Sequence, residues 1–240
     1  MEFYQDNALI RFLRSESSKN FLVPDIGTWH LIYGDEENNP IWQFHVLDLS
    51  STAKNSLWQI PKFNLINGID LFVHDAEHFE LKRWSDGNTR HFNSDSLFEY
   101  YLELNLVKRK NVRTKRFNKA SSSVYHEWQM NQLFIGGVTD IDLYRMDDSG
   151  NIVELIEIKR SRISLNEWSP FISDKGGYEI LQNLALKLGI SFTTIYYEFD
   201  PRRGLENIDR LQIFKKGIGF HFQKLGVVNL KDFVSGDYLS

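Results

Sequence analysis

Four residues carry the chemistry of greatest interest in this chain. Asp140 and Asp142 stand in the stretch VTDIDLYRM, and Glu157 and Lys159 stand in IVELIEIKR, with the turn-forming DDSGN between the two. Both stretches alternate apolar and polar residues, which is the period of a strand, so together they are expected to form a β-hairpin. Alternate side chains of a strand share a face. Asp140 and Asp142 therefore fall on one face of the first arm, with Ile141 and Leu143 on the other. In the second arm Leu155, Glu157 and Lys159 share a face, with Ile156 and Ile158 opposite. A turn at residues 147–150 sets Asp142 beside Glu157, with Lys159 one pleat along. Two carboxylates and the Ile158 carbonyl make a hard-oxygen site suited to Mg²⁺, with Mn²⁺ as a substitute. A lysine beside such a site can position a water and offset charge on a phosphorane-like transition state. These are the groups that phosphodiester hydrolysis requires.

The same spelling occurs earlier in the chain, as Asp70 followed by Glu80 and Lys82. Context favours the later copy. A helix with Glu127, SVYHEWQMNQLF, precedes it; an amphipathic helix, YEILQNLALKLG, and a strand, ISFTTIYYEF, follow it. The bland alternative is a surface hairpin in which Glu157 and Lys159 form a solvated pair worth little. His74 and His78 have the i, i+4 spacing of a helical zinc pair, but flanking strand patterns put them in a turn. His126 could face the site, although such a histidine is more often simply partly exposed; Tyr178 and Gln182 could approach it, although a packed helix is the more ordinary explanation. Arg160 and Arg162, just after the second arm, are candidates for phosphate contact.

The elements that must position these groups divide into three sections. Residues 1–107 open with a helix, DNALIRFLRSE, pass through the strands GTWHLIYG and IWQFHVLDL, and close with a helix, SDSLFEYYLELNL, whose Ser or Asp start suits an N-cap. A basic segment, residues 108–119, leads to the last section. It carries Lys108, Arg109, Lys110, Arg113, Lys115, Arg116 and Lys119 without an acid. The formal charge of −4 conceals this polarity: residues 1–107 hold 8 basic and 16 acidic side chains, residues 108–240 hold 20 and 16. A basic patch of this kind can neutralise phosphates or serve as a solvated linker. The domain boundary is expected at 107/108, with a mixed α+β N-terminal region before a second domain spanning 108–240. A chain of 240 residues, 42% hydrophobic with 18 Phe, can bury a real core. It has no cysteine, no signal-peptide pattern and no membrane-length apolar run, so a cytoplasmic protein without disulfides is expected.

The spacing of Asp142, Glu157 and Lys159 after a glutamate-bearing helix resembles the PD-(D/E)XK nuclease superfamily. Its restriction-endonuclease-like fold is a helix, a β-meander, a helix and a further strand, a mixed sheet flanked by helices. The resemblance covers about residues 121–200. It implies a metal-dependent DNA endonuclease in which metal-activated water attacks phosphorus and leaves 5′-phosphate and 3′-hydroxyl ends. Asp142 and Glu157 would hold Mg²⁺, Lys159 would position the nucleophile, and Glu127 would assist. The position before the aspartate is Ile141 where the family often has proline, and Asp140 competes for the aspartate role or adds a ligand. A homodimer or a partner protein could form through the N-terminal region. The contrasting expectation is a catalytically silent or partner-dependent nucleic-acid-binding subunit of a defence or transposition complex.

Overall fold

The computed structural model describes residues 7–16, 20–49, 60–108, 123–132, 134–135, 137–200, 202–217, 221–236 and 238. In chain order the first elements are α1 (Ala8–Ser15), β1 (Phe21–Leu22), β2 (Thr28–Gly34), β3 (Pro40–Asp48), β4 (Asn67–Val73), β5 (Phe79–Arg83), β6 (Thr89–Phe92), α2 (Ser94–Glu103), β7 (Val107–Lys108) and α3 (Val124–Gln132). Then follow β8 (Phe134–Ile135), β9 (Gly137–Asp140), β10 (Leu143–Met146), β11 (Ile152–Ser161), α4 (Lys175–Leu188), β12 (Ser191–Asp200), β13 (Leu205–Lys216), β14 (Phe222–Asn229) and α5 (Leu230–Ser235). The fold is mixed α+β, with two six-stranded mixed sheets in two compact units. Residues 24–140 form the first unit; residues 7–23 and 141 onward form the second. The first unit is thus inserted into the second.

This division differs from the expected boundary at 107/108. The helix bearing Glu127, α3, belongs to the first unit because Tyr125 and Trp128 lie in one apolar core with Tyr101 of α2 and Leu71 of β4. Conversely, α1 belongs with the second unit, where Leu9, Ile10 and Leu13 pack with Leu143, Ile156 and Ile158. The expected single strand VTDIDLYRM is also divided. Its first half, β9, pairs with β2, whereas its second half, β10, pairs with β11 in the other sheet. Ile141 and Asp142 are the step between them. An unbroken period-2 pattern records extended backbone, not which sheet the backbone joins.

The second unit's sheet runs β1-β10-β11-β12-β13-β14. Every neighbouring pair is antiparallel except β11 and β12, which are parallel and joined through α4. Apolar residues at Ile180, Leu181, Leu184 and Ala185 seat α4, and Gly189 in the left-handed conformation (φ 69°) ends it. On the other face, α1 and Phe233 of α5 cover Ile156, Ile158, Ile195 and Ile213. Asn7 caps α1 through Ile10 N–H, at 3.0 Å. Glu206 of β13 secures the same helix: it accepts from the Ala8 amide at 2.6 Å, from Arg11 at 3.2 Å, from the Tyr197 hydroxyl at 3.0 Å and from Arg160.

A buried ion pair lies at the start of this sheet. Arg145 is 4% exposed and Glu154 1%; their Nε and Oε2 are 3.2 Å apart, as befits directly opposed residues of β10 and β11. Arg145 also donates to the Phe233 carbonyl at 2.7 Å and the Tyr238 hydroxyl at 2.9 Å, and its guanidinium lies over the rings of Phe21, Phe233 and Tyr238. Glu154 accepts in addition from Tyr238 and Thr193.

In the first unit the order is β6-β5-β4-β3-β2-β9, with β3 and β4 parallel, and β7 pairs separately with β8. One face of the sheet, Leu31, Tyr33, Phe44, Val46 and Leu71, packs on α2 and α3. The hydroxyls of Tyr33 and Tyr101 each lie 2.9 Å from that of Tyr125, which fixes α3. α2 has the expected position but starts one residue before the Ser/Asp signal: Asn93 is its N-cap, in a reciprocal box with Ser96.

The opposite face carries a polar cluster that sequence patterning does not mark. His30 contacts Gln43 at 3.2 Å, and Gln43 exchanges two hydrogen bonds with the Phe63 backbone. His45 lies 3.2 Å from Asp70 and 3.3 Å from the Pro61 carbonyl, with Lys62 on the second Asp70 oxygen at 3.4 Å. Burial depresses the pKa of both histidines; for His30 the neighbouring His45 adds to this, and for His45 the attraction of Asp70 only partly opposes it. Unfolded histidines take up a proton near pH 6.5, before these folded ones do, so acid favours unfolding. Stability of this unit is expected to be full above about pH 6.5 and to fall on acidification, by at most about 1.4 kcal/mol per pH unit for each histidine. Thermal melts between pH 5 and 8 check this. His30→Phe, whose ring would keep the stacking on Phe63, is expected to flatten the profile.

Candidate metal centre

The register of the β10–β11 hairpin determines what faces what. Leu143 is opposite Ile156 and Tyr144 opposite Leu155, so the next position sets Asp142 opposite Glu157. Asp142 Oδ2 accepts a 2.7 Å hydrogen bond from the Ile158 amide. That bond continues the ladder one step beyond the end of β10, with a side-chain oxygen in place of a carbonyl. Because N–H and C=O of a strand residue project to the same side, the Ile158 carbonyl faces the same edge as Asp142. One carboxylate oxygen from each of Asp140, Asp142 and Glu157 lies within 4.8 Å of the others. Asp140 owes its place to the two-residue step from β9 to β10. The three acids meet the geometric need of a hard divalent cation for converging oxygen ligands.

Lys159 lies beside this group. Its Nζ is 2.6 Å from Glu157 Oε1 and 3.5 Å from Asp174 Oδ2, and 5.7 Å from the centre of the Tyr178 ring. Burial by itself lowers an ammonium's pKa, but Glu157, with Tyr178 and Asp174, more than compensates, and the Lys159 pKa is raised. The Tyr178 hydroxyl is pushed up by burial against a smaller opposing effect of Lys159. Glu157 is 5% exposed, whereas the Lys159 side chain is 28% exposed and so open to a ligand. Asp174, at the start of α4, was not among the expected site residues. Its only sequence signal is an acid at a helix start immediately after the loop that follows Lys159.

The other candidates are placed as follows. Glu127 and His126 are half-buried on α3 in the first unit; burial lowers the His126 pKa, with Asp140 and Glu127 opposing. Arg160 is engaged by Glu206, with its guanidinium over Phe199, while Arg162 is exposed. Lys108 ends β7. Arg109, Lys110, Arg113, Lys115, Arg116 and Lys119 lie outside the described residues. His74 and His78 flank a turn, the latter against Asp75 at 2.8 Å.

Register also separates the two copies of the spelling. In the β4–β5 hairpin Asp70 is opposite Lys82, and Glu80 is opposite Phe72. The two acids are therefore offset by a full pleat, and Asp70 is held by His45 and Lys62. Among the described residues, the acids around Asp142 are the one group with metal-binding geometry. No helix among the described residues is long and apolar enough to cross a membrane. The chain matches no protein-family model, no curated protein and no solved structure.

Proposed function

We propose that the chain is a metal-dependent nuclease with a restriction-endonuclease-like second unit, hydrolysing DNA phosphodiester bonds to 5′-phosphate and 3′-hydroxyl ends. The observation that carries this is the convergence of carboxylate oxygens of Asp142 and Glu157 to within 4.8 Å, with Lys159 2.6 Å from Glu157. Element order supports it: α1, the antiparallel β1, β10 and β11, then α4 and β12 follow the sequence of helix, meander, helix and strand. That alignment gives the core's first helix to α1 and leaves Glu127 on a helix of the inserted unit. The proposal accordingly rests on Asp142, Glu157 and Lys159.

The donor set fits Mg²⁺, or Mn²⁺ in its place: carboxylates of Asp142 and Glu157, with Asp140 and the Ile158 carbonyl as further oxygens. Such an ion would supply a Lewis acid for a phosphoryl oxygen and lower the pKa of water. The Ile158 amide holds the Asp142 carboxylate in one orientation. Lys159, an ammonium steered by Glu157 and Asp174, donates to a phosphate oxygen and balances charge that grows as the P–O bond breaks. Purified protein with Mg²⁺ or Mn²⁺ is expected to cut DNA, and EDTA to stop it. Plasmid, linear duplex, single-stranded and branched DNA are the substrates to test. Failure on all of them with both metals would remove the enzymatic proposal and leave a binding subunit.

A further inference from the structure

Beyond the last paired residues of the parallel strands, Ser161 and Glu198, the surface opens into a groove of about 520 Å³ lined by Arg162, Ser164, Glu198, Phe199, Asp200 and Arg202. Carboxyl ends of parallel strands are where α/β sheets commonly receive ligands. The groove starts three residues after Lys159, roughly 10 Å along the strand.

Its charges are not equally available. Glu198 accepts from the Leu165 amide at 2.9 Å, and Asp200 accepts from the Arg202 amide at 2.9 Å and lies 3.7 Å from Arg203. Arg162 and Arg202 are exposed, and among the described residues neither guanidinium has an ion-pair partner. Two cationic arms and an aromatic ring, which Arg160 also approaches, match a nucleotide: phosphates for the arms and a base for the ring. The volume falls within the 300–1,000 Å³ typical of small-molecule sites, which suits one nucleotide and not a paired duplex.

We infer that this groove holds one nucleotide of a single DNA strand, with its flanking phosphates on Arg162 and Arg202 and its base against Phe199. The inference deepens the nuclease proposal, on which it rests for the identity of the strand. It makes the favoured substrate an unpaired end, flap or splayed strand.

The test is fluorescence anisotropy in EDTA, with a labelled single strand of about 12 nucleotides and with the same sequence as a duplex. The single strand is expected to bind at least about tenfold more tightly. Arg162→Gln with Arg202→Gln, both at exposed positions, is expected to weaken that binding about tenfold and to make the slope of log K against log salt shallower by about 1.4, for two lost phosphate contacts. Phe199→Leu is expected to weaken it about tenfold with the slope unchanged. Equal affinity for both probes, or an affinity and slope unaffected by the arginine changes, would overturn the groove. A chain that cuts DNA yet behaves this way loses the groove and keeps the nuclease proposal. One that binds the strand through these residues but cuts nothing with Mg²⁺ keeps the groove and loses the nuclease proposal.

Discussion

Asp142→Asn is expected to lower Mg²⁺-dependent cleavage by about a thousandfold while leaving the melting temperature nearly unchanged. The two effects separate because Asp142 has two jobs. Its Oδ2 accepts from the Ile158 amide, and an asparagine oxygen can do the same, so the hairpin register is kept. Its charge is what an ion needs, and asparagine lacks it. Lys159→Ala is expected to produce a loss of similar order, with Mn²⁺ binding retained, because it removes a cation and leaves the carboxylates in place. Asp70→Asn is the control: its carboxylate serves His45 and Lys62, so cleavage should persist while stability falls. Single-turnover cleavage, Mn²⁺ titration and thermal melts on the three variants together distinguish a catalytic set from a surface ion pair. Full activity in Asp142→Asn would end the assignment.

Arg145→Ala is expected to be among the most destabilising single changes in the second unit, by about 3–5 kcal/mol. Glu154 would be left as a buried carboxylate without its cation, and the space between the rings of Phe21, Phe233 and Tyr238 would be vacated. Replacing both members, Arg145→Met with Glu154→Gln, removes the unpaired charge and should cost less than Arg145→Ala alone. Denaturant unfolding of the two variants checks the ordering. Cleavage should fall with the folded fraction in Arg145→Ala, since Arg145 follows Asp142 by three residues on the strand that positions it.

The opposition of Asp142 and Glu157 was legible in sequence because the hairpin behind it is local, whereas Asp140 ends β9, paired with distant β2, and Asp174 comes from the start of α4. A four-residue strand, a turn and a ten-residue strand set Asp142 against Glu157 with no help from distant pairing. α1, α4 and β12 were likewise visible through period and caps. The division into units was not. It depends on β1, whose two residues carry no periodic signal, and on β9 and β10, whose shared alternation hides a change of sheet. Nothing in the sequence marked Arg145 and Glu154 as buried, because alternation identifies a face without saying what covers it. The His30, Gln43 and His45 cluster was missed for the same reason: polar residues on the second face of a strand are buried there by the segment around Phe63. The groove needed three dimensions, since Arg162 and Arg202 meet only at the ends of two strands.

The insertion of residues 24–140 between two neighbouring strands also constrains how the chain can reach its native state. Phe21 must pair with Arg145, and the intervening segment is synthesised first. Left unfolded, that segment would make the closure of β1 on β10 about 2–3 kcal/mol more costly than closing a loop of a few residues. Folded, it costs almost nothing, because the pairing of Leu31 with Asp140 draws its two ends together. The first unit is thus expected to act as a clasp during biosynthesis. Folding of the first unit before β10 to α5 are made is expected to keep the closure of β1 on β10 short.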